Sequence, residues 1–217
     1  MKRRFILLLL LCIAHMGGYA KITLPGYFAD NMVLQQQTKV LISGQSSGKG
    51  FVELRVGWDK KVYKADIGIG GEWSIEVETP KAGGPYDIVL SDGEECFLHN
   101  VLIGEVWLCS GQSNMEMPLA GWGKVMNYEK EIAEADYPYI RLFQVKKETS
   151  LTPRKNLAST MGGWKECSPT VIPNFSAVGY FFARNLWREL GVPIGVIDCT
   201  WGGTPAEGWE SYDAMKK

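Results

Sequence analysis

Histidine is nearly missing from this chain: 217 residues contain two, His15 and His99. Five cysteines are present without a single Cys-x-x-Cys pair, an inventory that argues against a zinc site. A positive excess is lacking as well. Lys and Arg number 23 against 24 Asp and Glu, and without a basic stripe there is no electrostatic footprint for nucleic acid. Long apolar runs are also missing. No stretch reaches the roughly 18 residues that a membrane-spanning helix needs, and the run at residues 5–14 falls short of it.

What stands at the start is an ordered leader. Lys2, Arg3 and Arg4 precede that apolar run, and Gly18-Tyr19-Ala20 then places small residues around a cleavable bond, the order of a secretory signal peptide. Cys12 follows Leu11 rather than a small residue, which argues against a lipoprotein. The expectation is a leader over residues 1–20 and a periplasmic or secreted product, mildly acidic and with no membrane partner once the leader is removed. His99 is then its one imidazole. Cys96, Cys109, Cys167 and Cys199 remain, at spacings that match no small disulfide scaffold. Cys109 and Cys199 each end an apolar run and read as core thiols.

Residues 21–100 read as a β module. Alternation in Val52-Glu53-Leu54-Arg55-Val56 and Trp73-Ser74-Ile75-Glu76-Val77 has the period of half-buried strands, and Gly-rich clusters at 43–48, 68–71 and 81–85 mark turns. Five to eight such strands make a small antiparallel sandwich. From residue 101 the pattern changes. Runs at 101–109, 140–145 and 192–199 are nearly continuous in apolar residues, as strands buried on both faces require. Helices are expected over 124–135 and 176–190, the second burying Val178, Phe181, Phe182, Leu186 and Leu190 and stopped by Gly191 and Pro193. The fold class is therefore α/β: an N-terminal antiparallel sandwich over 21–100, then a parallel sheet with helices over 101–217. Only three sheet strands are visible, so an open edge and an exposed apolar face are expected.

Two clusters lie where the ends of parallel strands gather ligands. Ser110-Gly111-Gln112-Ser113-Asn114-Met115 follows the first buried run, and Thr200-Trp201-Gly202-Gly203-Thr204-Pro205 follows the third. A serine after a glycine turn can present its hydroxyl outward and its N–H toward a developing negative charge, and paired glycines can offer an unobstructed N–H to the same charge. Spacing alone does not separate this from a turn residue, a helix N-cap or a strand-to-loop turn.

The stretch from Gly104 to Met115 (Gly-Glu-Val-Trp-Leu-Cys-Ser-Gly-Gln-Ser-Asn-Met) resembles the first block of the sialate O-acetylesterases, within the SGNH-hydrolase superfamily. Phe175-Ser176-Ala177-Val178-Gly179-Tyr180, Trp201-Gly202-Gly203-Thr204-Pro205-Ala206-Glu207 and the early Asp30-Asn31-Met32-Val33-Leu34-Gln35-Gln36 are similar to further stretches of that family. The resemblance implies Ser113 as nucleophile toward the O-acetyl group of a sialic acid or sialoglycan. It implies an oxyanion hole from the Ser113 N–H and that of Gly202 or Gly203, and no metal or organic cofactor. Gln112, Asn114 and Thr204 become the candidates to touch substrate. Another acetylated glycan, such as xylan, stays open as substrate. So does a non-catalytic glycan-binding role for the sandwich through Trp58, Tyr63 and Trp73, which also read as core aromatics. No feature of the sequence sets an oligomeric state.

The family's base is a histidine in an Asp-x-x-His element, and this sequence contains none. His99 precedes the first sheet strand, and a base is expected from the far end of such a domain instead. Glu105, Asp198 and Glu207 have no histidine to orient. The resemblance ends soon after Trp209, so the expectation is an incomplete SGNH-type α/β/α domain with little turnover of its own.

Overall fold

The computed structural model describes residues 21–123, 125–154 and 156–216; the leader assigned to 1–20 lies outside the described residues. Eleven strands form two sheets. They are β1 (Ile22–Thr23), β2 (Val33–Gln35), β3 (Lys39–Ser46), β4 (Phe51–Val56), β5 (Val62–Asp66), β6 (Glu72–Glu78), β7 (Gly83–Ser91), β8 (Glu95–Gly111), β9 (Tyr137–Gln144), β10 (Lys165–Cys167) and β11 (Ile194–Thr200). The helices are α1 (Ser113–Glu116), α2 (Tyr128–Ala133), α3 (Ala177–Leu190) and α4 (Tyr212–Met215), with short 3-10 turns at Ile172–Asn174 and Ala206–Trp209.

The small sheet has the order β1-β3-β6, and the large one β10-β9-β11-β8-β7-β4-β5, with β2 also paired to β8. Alternation does its expected work in the sandwich. Val52, Leu54 and Val56 of β4 face Trp73, Ile75 and Val77 of β6 across one buried core. Trp58 and Tyr63 pack against that core and Trp73 lies inside it, so all three serve as core aromatics. The Trp58 indole donates to the Glu78 carbonyl (3.0 Å) and the Tyr63 hydroxyl to Asp59 (2.6 Å).

β8 belongs to both halves. Its first part pairs antiparallel with β7, and its last part, from Glu105 to Gly111, pairs parallel with β11. The strand runs unbroken through residue 100, where the sequence pattern changes. The early Asn31–Gln36 stretch ties the seam. Gln35 accepts from the Val106 N–H (2.9 Å), and the amides of Gln35 and Gln36 both donate to Glu105 (3.2 and 2.7 Å). Arg141, nearly fully buried, bonds Asn31, Asn100 and the Pro138 carbonyl and pairs with Glu166 at 3.2 Å.

Three sequence expectations need correction. The helix expected over 124–135 is confined to Tyr128–Ala133, because Asn127 before it adopts a left-handed φ of 58°. α3 has the expected ends, with Ser176 as N-cap and Gly191 left-handed after it, but it buries only part of the expected face: Phe181 and Leu186 pack half-buried against the core. Ala177, Gly179, Tyr180 and Ala183 lie against the sheet, whereas Val178, Phe182 and Leu190 are exposed. Close approach of a helix to a sheet selects small residues at the contact: a Cβ on Gly179 would come within 3.4 Å of Cys109 Sγ. Full burial of the first sheet strand also fails, since Trp107 and Leu108 are 43% and 64% exposed. Among the described strands β8 is paired only by β11 from Glu105 to Gly111, so its other edge is open. Trp107 stands edge-on to Phe182 at 5.0 Å on that face, matching the expected exposed apolar surface.

Among the described residues no helix is long and apolar enough to cross a membrane. The four described cysteines are free. Burial pushes the Cys109 thiol up to about 11 and Cys167 up to about 12, as core thiols require.

Candidate active site

β8 and β11 end side by side. Thr200 lies opposite Gly111, and the Trp201 N–H donates to the Gly111 carbonyl at 3.0 Å. Gly111 has φ +140°, a backbone conformation that side chains disfavour, and there the chain turns out of the strand into α1. Ser113 opens that helix. Its hydroxyl donates to Gln112 Oε1 (2.7 Å), which also accepts the Ser113 N–H (3.0 Å). Ser176 holds α1 from beneath: its hydroxyl donates to the Met115 carbonyl (2.6 Å) and accepts the Gly179 N–H (3.1 Å) at the start of α3. One buried side chain thus ties the end of α1 to the start of α3.

Gly202, just past β11, packs on Ser113. A Cβ there would lie 3.5 Å from Ser113 Cα and 3.6 Å from its Cβ. Gly203 points into open space with φ +79°. Of the two glycines the sequence left undecided, Gly202 is the one beside the serine. Its N–H is engaged by the Glu116 carboxylate, whose other oxygen pairs with Lys147. Burial raises Glu116, but the Lys147 ammonium and the Gly202 N–H outweigh it and hold the carboxyl below the usual range. The Ser113 and Gly202 N–H groups that the sequence reading offered to an oxyanion are therefore occupied, by Gln112 and Glu116.

Asn114 is exposed on α1. Thr204 is partly enclosed and its hydroxyl staples a turn, donating to the Trp201 carbonyl (2.6 Å) and accepting from the Trp209 indole (2.8 Å). Asp198 is buried between Thr200, which donates at 2.6 Å, and Gln144, which donates at 3.0 Å; burial pushes its carboxyl up against the pull of both. Two cavities open beside these groups. One of about 420 Å³ is lined by Glu116, Lys147, Asp198 and Thr200 among others. The other, of about 390 Å³, lies between the segment after β9 and the Trp201–Trp209 loop.

His99 is remote. It is exposed, stacks on Phe97 at 5.7 Å and contacts Asp87 at 3.2 Å. At roughly 3.3 Å per strand residue, the part of β8 between His99 and Gly111 spans about 40 Å. Glu105 is spent on the Gln35 and Gln36 tether, and Glu207 is exposed on the 3-10 turn. Among the described residues no group of three His, Cys, Asp or Glu side chains is set to hold a metal ion.

The residues that sequence reasoning missed are Glu116 and Lys147. The signal was present. β9 runs parallel to β11, so whatever follows β9 arrives at the same sheet edge as Ser113, and Lys147 follows it directly.

The family model described as carbohydrate esterase, sialic acid-specific acetylesterase, matches residues 103–216. The sialate O-acetylesterase of rat (Rattus norvegicus) is 33% identical over 235 aligned positions, covering 97% of this chain and 42% of the rat protein. The human (Homo sapiens) sialate O-acetylesterase is 30% identical, covering 88% of this chain and 39% of its own length. A crystal structure of a carbohydrate acetylesterase from Xanthomonas citri superposes with a TM-score of 0.82 at 35% identity, over 91% of this chain and 44% of that one. The chain spans less than half the length of these relatives.

Proposed function

Because the chain belongs to the carbohydrate esterase family of sialic acid-specific acetylesterases, we propose that it supplies the nucleophile for hydrolysing O-acetyl esters of sialic acids. The observation that carries this reading is the packing of Gly202 on Ser113 where β8 and β11 end together. Ser113 Oγ attacks the acetyl carbonyl carbon, and the carbonyl π electrons move to oxygen. The Ser113 and Gly202 N–H groups receive that oxyanion once the Gln112 amide and the Glu116 carboxylate swing aside. Collapse expels the sugar alkoxide, which takes a proton, and leaves acetyl-Ser113; water then attacks the same carbon and releases acetate.

Ser113 needs a base to take its proton, and the only imidazole among the described residues is the distant His99. Imidazole in solution serves as that base in the test. The chain is incubated with p-nitrophenyl acetate and imidazole, and acetylation is mapped by mass spectrometry. Acetyl-Ser113 that forms faster with imidazole and disappears in Ser113→Ala supports the reading. Acetylation scattered over surface lysines with none on Ser113 refutes it.

Export belongs to the same proposal, on the strength of residues 1–20, with a periplasmic or secreted destination. An exported product beginning at Lys21 supports it, and one retaining Met1 counts against it.

A further inference from the structure

The 390 Å³ cavity has two chemically distinct walls. The segment after β9 contributes Lys146, Lys147, Glu148 and Arg154, and the loop after β11 contributes Trp201 and Trp209, each 36% exposed. Three cations thus face the cavity with one carboxylate among them. Lys147 is spent on Glu116, and Lys146 holds Glu148 at 2.8 Å. Arg154 is left. Its ion pair is with the other oxygen of Glu148, at 3.7 Å, too long for a hydrogen bond. A guanidinium with no hydrogen bond to the other described residues, lining the same cavity as the two indoles, suits a planar carboxylate on a sugar ring whose C–H face can pack on an indole.

The cavity connects to the nucleophile by contact. Lys147 lines it, pairs with Glu116, and Glu116 bonds the Gly202 N–H that lies on Ser113. The separation is of the right kind. A sialic acid bears its carboxylate on the anomeric carbon and its esterified hydroxyls on other carbons, so the group that binds the carboxylate must stand away from the serine.

We propose that Arg154, in the cavity between the 146–154 segment and the Trp201 and Trp209 indoles, binds the carboxylate of an acidic sugar and so selects sialic acids over neutral acetylated glycans. The inference rests on Ser113 as nucleophile and adds a residue that sets the substrate class. A neutral xylan unit gains nothing from a net positive wall, whereas a sialic acid gains a charge-assisted pair there.

The test is a binding comparison on the whole chain, by calorimetry, between the methyl glycoside of N-acetylneuraminic acid and its carboxyl methyl ester. The pair differs by one charge. Because Arg154 is half exposed and screened, the acid is expected to bind roughly ten-fold more tightly than the ester at low salt. Arg154→Ala should abolish that preference and leave the ester's affinity unchanged. Equal affinities in the wild type, no measurable binding of the acid, or a full preference surviving in Arg154→Ala overturns the proposal. Acetylation of Ser113 by p-nitrophenyl acetate, run in parallel on a neutral ester, keeps the two readings apart. Acetylation without an acid preference removes the carboxylate subsite alone. An acid preference without acetylation keeps the subsite and removes the nucleophile.

Discussion

Replacing Glu116 by glutamine isolates the charge that ties α1 to the loop after β11. The glutamine keeps an oxygen for the Gly202 N–H but loses the ion pair with Lys147 and the charge assistance on the Gly202 bond. Lys147 is 40% exposed, so the pair is screened and contributes about 0.5 kcal/mol. Exchanging a charged for a neutral acceptor on a half-enclosed N–H adds about 1 kcal/mol. Asp198 works the other way: burial pushes its carboxyl up and the Glu116 charge pushes it further, so removing that charge relieves it. The expected net loss is about 1 kcal/mol at pH 7.

The pH dependence gives the sharper test. Lys147 and Gly202 hold the folded-state Glu116 below its ordinary value despite burial, so its contribution is fully present above the ordinary glutamate range and is lost as pH falls through the lowered value. Urea unfolding of wild type and Glu116→Gln, compared at constant m, should therefore show a gap of about 1 kcal/mol at pH 7 that closes as the pH is lowered past about 4. A gap of the same size at pH 7 and pH 3 refutes the charge argument. So does a glutamine variant as stable as wild type at pH 7.

Gly104→Ala should destabilise by about 3 kcal/mol, since its Cβ would collide with the Pro193 carbonyl oxygen and stand 2.7 Å from the carbonyl carbon, forcing β8 away from the start of β11. Gly208→Ala, where nothing lies within 4 Å of the added carbon, is the matched control and should stay within about 0.5 kcal/mol. Ser176→Ala removes the α3 cap and leaves the Met115 carbonyl without its donor, for an expected loss of about 2 kcal/mol by urea denaturation. A loss under about 0.5 kcal/mol would show that Ser176 does not tie α1 to the start of α3.

How much the sequence disclosed depended on whether a signal was local. The sandwich strands were legible because β4 and β6 alternate strictly, and the sheet strands because their apolar runs are nearly continuous. The ends of α3 were legible from Ser176 and Gly191, which act within one turn. Its buried face was not. Of the stripe that periodicity favours, Phe181 and Leu186 pack half-buried against the core, yet Val178, Phe182 and Leu190 lie exposed, while the sheet takes Ala177, Gly179, Tyr180 and Ala183. Hydrophobicity scales weight large side chains, and the contact with β8 is set by how near the backbones must come. At the site, Ser113 and Gly202 could be named because each sits at a strand end. The Glu116 to Lys147 link joins residues 31 apart in the chain and depends on the parallel pairing of β9 with β11, which no local pattern reports.

The unbroken course of β8 explains why the Asn31–Gln36 stretch accompanies an esterase motif so far along the chain. A serine at the end of a strand is placed only as well as the strand is held, and past Glu105 β8 has a described strand partner on one edge alone. Its other constraint comes from behind. Gln35 and Gln36 bond the Glu105 carboxylate and the Val106 N–H, and the preceding part of β8 is locked into the sandwich by β7. The sandwich therefore acts as a clamp on the rod that carries Ser113, and side chains at the seam set the serine's position against Gly202. Preorganisation of that kind places a nucleophile to within a fraction of an ångström only if the supporting shell is itself rigid. Here that shell is Gln35, Gln36, Glu105 and the buried Arg141, all at the seam between sandwich and sheet.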